Sequence, residues 1–324
     1  MNKQLHVAVG VIEDGGRYLL TRRRADAHEG GRWEFPGGKF ELGESAPAAL
    51  ARELHEELGI EVLGSERLIE IPFSYPTLDV HLHVRRVTAY RGMPEGREGQ
   101  PLQWYARNEL AGLELPAANR GILAAISLPH DYMITPEPAG ATDAEFAARL
   151  DSALAAGIKL VQLRAKCLAE DELLVLARQA VRLCEGHGAR LLLNASPELA
   201  LQAGAHGVHL SAGRAAALAG AQASFPSGLL VGASCHDADE LALAESLGVD
   251  YVLCSPVRPT ASHPGAPTLG WEGFAVLCAA ATVPVYALGG MGNADIAVAI
   301  ESGGQGIAAI TALWCPQSVT KALS

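Results

Sequence analysis

Three glutamates at helical spacing carry the first sign of chemistry in this sequence. Glu53, Glu56 and Glu57 stand at i, i+3 and i+4 within GGKFELGESAPAALARELHEELGI, residues 37–60. A helix puts all three on one face. Like charges at that spacing repel, and helix propensity gives nothing in return. A hard divalent cation does, because Mg²⁺ takes carboxylate oxygens and shares its other positions with waters and substrate phosphates. The plain alternative is a solvated acidic face, the usual state of a Glu-rich helix.

The element that must hold these carboxylates is written into the same stretch. Ser45 is the expected N-cap, Pro47 is tolerated in a first turn, and Gly59 is the expected stop. Leu50, Leu54 and Leu58 recur at i, i+4 and i+8, which gives one apolar stripe facing a core. Upstream, residues 5–12 alternate as a strand, residues 13–16 make a turn, and residues 18–23 read as the returning strand.

Gly38, Glu44, Arg52, Glu53, Leu54, Glu56, Glu57, Gly59 and Ile60 fill every specified position of the Nudix box. With ordinary residue frequencies a chance match is on the order of one in a million. The stretch resembles the Nudix hydrolases, which cleave nucleoside diphosphates linked to another group. The flanks (Arg22-Arg23, residues 25–28, residues 33–39, 98–101 and 116–119) resemble the 8-oxo-dGTP diphosphatase (MutT) branch over residues 3–126. That resemblance implies that Glu53, Glu56, Glu57, Glu98 and the carbonyl of Gly37 hold Mg²⁺, with Mn²⁺ able to substitute. Glu44 and Arg52 join the catalytic set. It also implies a substrate pocket of Arg23, His28, Glu34, Phe35, Pro36, Gly37 and Asn119. The chemistry is consistent: an amide such as Asn119 offers donor and acceptor to a purine edge, and Arg23 presents a fork to a phosphate. Singly, Arg23 is a surface charge, His28 a loop residue and Asn119 a helix cap; their meaning comes from the set. Leu78 departs from the branch, which places an Arg near the nucleotide there.

From Asp131 the pattern changes to short apolar strands alternating with Ala/Leu-rich helices. Strands are expected at residues 132–135, 160–164, 190–194, 207–210, 229–234, 251–255, 284–288 and 306–310. Capping boxes are expected at Thr142/Glu145 and Asp237/Glu240. AAGIKLVQLR, QAGAHGVHLS, SLGVDYVLCS and SGGQGIAAIT each close a helix with a glycine and enter a strand. Their glycines, Gly157, Gly204, Gly248 and Gly303, recur at about two βα units, so four copies give a (β/α)₈ barrel. Function in such a barrel belongs at the C-terminal strand ends, with phosphate sites common after strands seven and eight. Gly289, Gly290 and Thr311 occupy those places, and Gln162, Arg164, Lys166, Asn194 and His236 lie at other strand ends. Gly289-Gly290 also reads as a simple tight turn.

These pieces resemble thiamine-phosphate synthase and its relative the thiazole tautomerase, over residues 131–313. Ala195 stands where the synthase carries an Asp that helps hold Mg²⁺. A second expected carboxylate falls near Gly213 or Arg214, and an expected Lys near Ser262-His263. Losing the carboxylates removes the natural hold on a metal–pyrophosphate group. The tautomerase has a His at the position of His236. Two readings of His236 stay open, a metal-free proton shuttle and a histidine that hydrogen-bonds near a helix start.

The whole chain sets the frame. Its 324 residues suffice for about two domains, expected at 1–128 and 129–324: a Nudix α/β/α sandwich, then a TIM barrel. A net charge of −11 argues against a nucleic-acid polymer as partner. The start shows no signal-peptide pattern, and the most apolar run, residues 273–288, is interrupted by Pro284. The six cysteines, all at or beyond Cys167 and without a CxxC pair, read as reduced residues of a cytoplasmic protein. The sequence does not set the oligomeric state. The expected activity is Mg²⁺-dependent hydrolysis of 8-oxo-dGTP to the monophosphate and pyrophosphate, beside a barrel binding a phosphate-bearing small molecule. Two rivals stand beside it: a Nudix hydrolase of thiamin-pathway pyrophosphates, and a non-catalytic barrel that senses a ligand.

Overall fold

Helix α1 (Ala46–Leu58) has the expected bounds, and its stripe is fully used: Leu50, Leu54 and Leu58 are completely buried. Gly59 ends it in the left-handed region at φ 71°, donating its N–H to the His55 carbonyl at 3.1 Å. Ser45 has the extended backbone of an N-cap, but its side chain makes no capping bond. The computed structural model describes residues 3–24, 29–76, 78–140, 144–260 and 267–314. His28, Thr142 and Ser262-His263 lie outside the described residues, so the roles expected of them receive no structural account.

The chain divides into two units, Met1–Ser127 with Ala279–Val283, and Leu128–Cys278 with Pro284–Ser324. In the first, the strands are β1 (Lys3–Asp14), β2 (Arg17–Arg22), β3 (Trp33–Glu34), β4 (Gly37–Lys39), β5 (Glu61–Tyr75), β6 (Leu78–Arg91) and β7 (Leu102–Ala106). The order is β3-β2-β1-β6-β5, with β4 also on β1 and β7 also on β2. β1 and β6 are parallel, and the other pairs are antiparallel. After β7 come α2 (Arg107–Leu110) and α3 (Arg120–Ser127). Strand alternation sorts the core into two layers. Ala8, Ile12 and Leu19 pack with the α1 leucines, whereas Val9, Val11, Leu20, Ile71 and Val84 pack with Ile122, Ala125 and Ile126 of α3. The sheet is thus covered on both faces, as a Nudix sandwich requires.

In the second unit, eight parallel strands close into a barrel. They are β8 (Asp131–Ile134), β9 (Leu160–Leu163), β10 (Arg190–Leu193), β11 (Gly207–Leu210), β12 (Leu230–Cys235), β13 (Tyr251–Cys254), β14 (Val285–Leu288) and β15 (Gly306–Ala309). The connecting helices are α4 (Ala144–Ala155), α5 (Glu170–Gly186), α6 (Pro197–Ala203), α7 (Ala212–Gly220), α8 (Ala238–Ser246), α9 (Gly270–Ala280) and α10 (Ile296–Glu301), with α11 (Thr311–Trp314) after β15. The repeated glycines explain their own recurrence. Gly157, Gly204, Gly248 and Gly303 have φ of 112°, 71°, 72° and 96°, where an L side chain is strained. The chain turns from helix to strand through that conformation four times.

The barrel interior is more aromatic than the aliphatic layers common to such barrels. Tyr132, Tyr251 and Tyr286 are fully buried, with the Tyr132 and Tyr251 hydroxyls 2.7 Å apart. Gly232 makes the room, since a Cβ there would lie 2.0 Å from the Tyr251 ring. His209 is buried in this layer between the Tyr251 hydroxyl and Ser234. Cys184, Cys235, Cys254 and Cys278 are buried free thiols and Cys167 is an exposed one. No helix among the described residues is long and apolar enough to cross a membrane.

Candidate functional site

The α1 carboxylates are organised by Arg52. Its guanidinium grips both oxygens of Glu44 at 2.8 Å, donates to the Lys39 carbonyl at 2.9 Å, and reaches Glu53 at 2.9 Å and Glu56 at 3.3 Å. One planar fork thus ties the helix to the loop entering it and to the end of β4. The Arg52 hydrogen bonds, then the one from the Glu41 N–H, with the Arg52 charge adding, hold the Glu44 carboxyl down to about 2. Glu53 and Glu57 behave oppositely. Burial pushes the Glu53 carboxyl up, against the pull of Arg52. Burial, then the Glu53 charge, with Glu98 and Glu34 adding, push Glu57 up to about 8, although the Gly37 N–H donates to it at 3.3 Å.

β4 has been cut to fit this cluster. A Cβ on Gly38 would sit 2.2 Å from a Glu53 carboxylate oxygen. Gly37 has φ 143°, and a Cβ there would stand 2.1 Å from the Ala8 carbonyl oxygen. The two glycines let backbone approach where a metal ligand carbonyl is expected. These residues fit a hard divalent cation: the donors are carboxylate oxygens, and a partly buried carboxylate among like charges lacks only positive charge. Among the described residues, however, no three of Glu53, Glu56, Glu57 and Glu98 bring ligand oxygens within 4.8 Å of one another. Arg52 draws Glu53 and Glu56 to itself, and Glu98 is exposed.

The expected pocket is partly assembled. Arg23 is paired with Glu34, so its fork meets a carboxylate rather than standing ready for a phosphate alone. Burial raises the Glu34 carboxyl, and Arg23 opposes that shift. Phe35 is buried, and the Pro36 carbonyl accepts the Gly10 N–H at 2.8 Å, which seats this segment on β1. Asn119 is 6% exposed in a 3₁₀ turn (Ala117–Asn119), and its buried Oδ1 has no hydrogen-bond partner. A buried acceptor left unpaired costs about 1–3 kcal/mol, so an acceptor kept this way awaits a donor. The sequence reading missed Tyr75, whose hydroxyl donates to Glu29 at 2.9 Å, and Glu29 also pairs with Arg32 at 3.2 Å. Burial and then Glu29 push the Tyr75 hydroxyl up to about 12, with the Ala118 backbone beside it. Leu78, by contrast, opens β6 and pairs with Tyr75 across the turn.

At the barrel's C-terminal strand ends, a neutral hydrogen-bonded network lies beside ion-paired side chains. The buried Gln162 accepts from Asn194 Nδ2 at 2.8 Å and donates to the Tyr132 hydroxyl at 3.0 Å. Arg164 pairs with Glu137 at 2.8 Å, and Lys166 is exposed in the loop beyond. His236 is exposed, and Glu240 holds both its Nδ1 at 2.7 Å and its backbone N–H at 2.8 Å. The Asp237/Glu240 box is therefore shifted: Asp237 accepts the Glu240 N–H, but Glu240 reaches back to His236. Gly289 and Gly290 follow β14 with φ of 109° and 67°, and Thr311 opens α11. Asp295 takes the Gly292 N–H at 2.9 Å and pairs with Arg258 at 2.8 Å. Ala195 is buried where a carboxylate was expected.

Residues 7–125 match the family model for the NUDIX domain, and residues 132–313 match that for thiamine monophosphate synthase. The chain belongs to both families. Its first half is 37% identical over 123 residues to the 8-oxo-dGTP diphosphatase of Escherichia coli, covering 38% of this chain and 95% of the relative. It is also 37% identical over 123 residues to the CTP pyrophosphohydrolase of Escherichia coli, covering 38% and 91%. Its second half is 36% identical over 181 residues to the thiamine-phosphate synthase of Thioalkalivibrio sulfidiphilus, covering 55% of this chain and 84% of the relative. The chain is thus a Nudix enzyme unit fused to a thiamine-synthase-family barrel.

In the Nudix unit the structure unites Glu44, Arg52, Glu53, Glu56 and Glu57 around α1 and Gly37. It unites Arg23 with Glu34, and leaves Glu98 at the surface. In the barrel unit Gln162 and Asn194 form one contact network, while His236 belongs to another with Glu240. Nudix hydrolases generally use a divalent metal, and carboxylate oxygens like those of α1 have the chemistry that suits one.

Proposed function

We propose that the Nudix unit hydrolyses an oxidised purine nucleoside triphosphate, 8-oxo-dGTP, to the monophosphate and pyrophosphate, with Mg²⁺ as the working metal and Mn²⁺ as a substitute. The observation that carries this reading is the carboxylate face of α1, where Arg52 holds Glu44, Glu53 and Glu56, the Gly37 N–H reaches Glu57 at 3.3 Å, and Gly38 leaves room for Glu53. Glu53, Glu56, Glu57, Glu98 and the Gly37 carbonyl would hold the metal. When bound, Mg²⁺ neutralises phosphate charge and makes water a better nucleophile. A carboxylate beside the metal can take the proton of the attacking water. Arg52 keeps Glu53 and Glu56 oriented, and Glu44 fixes Arg52. Arg23 and Glu34 border the pocket; Asn119, with its unpaired Oδ1, supplies the acceptor for a purine edge, and Tyr75 with Glu29 walls it nearby.

The equal identity to a CTP pyrophosphohydrolase makes base choice the point at issue, and the buried Asn119 Oδ1 is the acceptor through which a base N–H would be read. Comparing kcat/KM for 8-oxo-dGTP, dGTP and CTP tests it; a preference for CTP would overturn the assignment. For the barrel we infer a site for a phosphate-bearing small molecule without synthase chemistry, because Ala195 removes a carboxylate from the metal–pyrophosphate hold. We read His236, held through Nδ1 by Glu240, as the group that carries a proton. Turnover of a thiazole phosphate tautomer that is lost in His236→Asn would support this role. Ligand binding without turnover would make the barrel a sensor. The reading places the protein in the cytoplasm, acting on small molecules.

A further inference from the structure

The Nudix unit carries a second cluster with metal-ligand chemistry, separate in residues from the α1 carboxylates. His6 on β1 and His81 on β6 are direct partners in the parallel pairing, and Glu70 on β5 is the partner of His83. The residues therefore stand side by side across three neighbouring strands. The alternation that gives His6 the face of Ala8 and Ile12 is kept by the register, so the imidazoles converge on one face of the sheet. One ring nitrogen from each of His6, His81 and His83 lies within 4.8 Å of the others. His6 Nδ1 and His83 Nε2 are already 2.9 Å apart and share a hydrogen bond.

The second layer of the cluster is in place as well. Glu70 approaches His83 through its other nitrogen, Nδ1, at 3.7 Å, and His81 Nε2 at 3.4 Å. A carboxylate behind a ligating imidazole fixes its tautomer and orientation. The His81 and His83 rings stack with centroids 4.6 Å apart, and the Phe40 ring packs against His83 at 4.8 Å. The rings are thus held in a small range of orientations before any ion arrives.

We propose that His6, His81 and His83, backed by Glu70, form a binding site for a first-row transition-metal dication of the Zn²⁺ class. Three imidazoles suit Zn²⁺, Cu²⁺ or Ni²⁺, and Mg²⁺ prefers oxygen ligands. With Zn–N bonds of about 2.0–2.1 Å, tetrahedral nitrogens stand roughly 3.3 Å apart. Rotation of the stacked rings would bring the nitrogens to that spacing, and the ion would replace the His6–His83 hydrogen bond. The two sites thus sort metals by ligand hardness, and Mg²⁺ at α1 does not compete for the histidines.

Co²⁺ titrated into the metal-free full-length protein, with Mg²⁺ in excess, tests the site through visible d–d absorption. The expected result is one tetrahedral-type Co²⁺ per chain, displaced by Zn²⁺. Binding should weaken by at least about 10-fold in His83→Gln, as loss of a ligand or its support does. Glu57→Gln should leave the spectrum unchanged. If His83→Gln loses its far-ultraviolet circular dichroism, His6→Gln at an exposed position gives the same comparison. An absent signal, a spectrum that survives both histidine substitutions, or one abolished by Glu57→Gln would overturn the proposal.

Discussion

The Nudix helix face and the strand ends of the barrel handle charge in opposite ways. On α1, carboxylates are crowded together at spacings that repel, and the surrounding chain is shaped to keep them there. Arg52 clamps them, and Gly38 yields the space that Glu53 fills. At the barrel mouth, Ala195 takes the place of an acidic ligand, and Gln162, Asn194 and Tyr132 satisfy one another. The first keeps carboxylates close together with one guanidinium among them. The second is already hydrogen-bonded. Electrostatic stress in the ligand-free state therefore distinguishes the crowded carboxylates of α1 from the mutually bonded polar groups of the barrel mouth within one chain.

The sharpest way to break this contrast is Glu57→Gln. If the carboxylate is needed for metal-assisted hydrolysis, kcat/KM on the preferred nucleotide should fall by about 10³-fold, within the span typical of a general acid–base group. Barrel ligand binding, followed by calorimetry with a thiazole phosphate, should not change. Next is Gly38→Ala. Its new Cβ meets the carboxylate end of Glu53, which can turn away at the cost of its bond to Arg52, so activity should drop by about 10-fold to 100-fold with a small change in melting temperature. Gly37→Ala differs, because the obstacle is the Ala8 carbonyl, and this variant should lose stability outright.

A pH series sharpens the contrast further. The Glu57 carboxyl titrates at about 8 in the folded protein, above the ordinary carboxylate range, so folding takes up protons there. Its contribution to stability is full below about pH 4 and is lost as pH rises toward 8. Thermal melts in chelator should show that decline, and Glu57→Gln should flatten it. Added Mg²⁺ should restore stability at pH 8. The smallest effect belongs to the barrel. Tyr251→Phe removes a hydroxyl bonded to Tyr132 and His209 and should cost about 1 kcal/mol in denaturant unfolding of the barrel, leaving Nudix turnover unaltered.

How much of this was legible in the sequence follows from the range of the interactions. Leu50, Leu54 and Leu58, Gly59, and the repeated Gly157, Gly204, Gly248 and Gly303 declare themselves through local periodicity and backbone conformation, and both folds follow from them. Glu53, Glu56 and Glu57 are close in sequence, so their shared face is visible too. His6 and His81 meet only through the parallel register of β1 with β6, which a single sequence does not state. Tyr75 and Glu29 meet across a similar gap. The pairing of Arg23 with Glu34 was hidden for another reason: both were expected in the pocket, but nothing in their types says that they neutralise each other rather than face a ligand. The aromatic barrel layer likewise depends on Gly232 lying against Tyr251 from the next strand.

The central claim is that the α1 carboxylates do the chemistry while the buried Asn119 reads a purine. It is tested most directly by kcat/KM for 8-oxo-dGTP, dGTP and CTP with Mg²⁺, in the wild-type chain and in Asn119→Ala. The account predicts a wild-type preference for 8-oxo-dGTP that collapses in Asn119→Ala while slow hydrolysis of all three persists. A preference for CTP, or a preference for 8-oxo-dGTP untouched by the substitution, would contradict it.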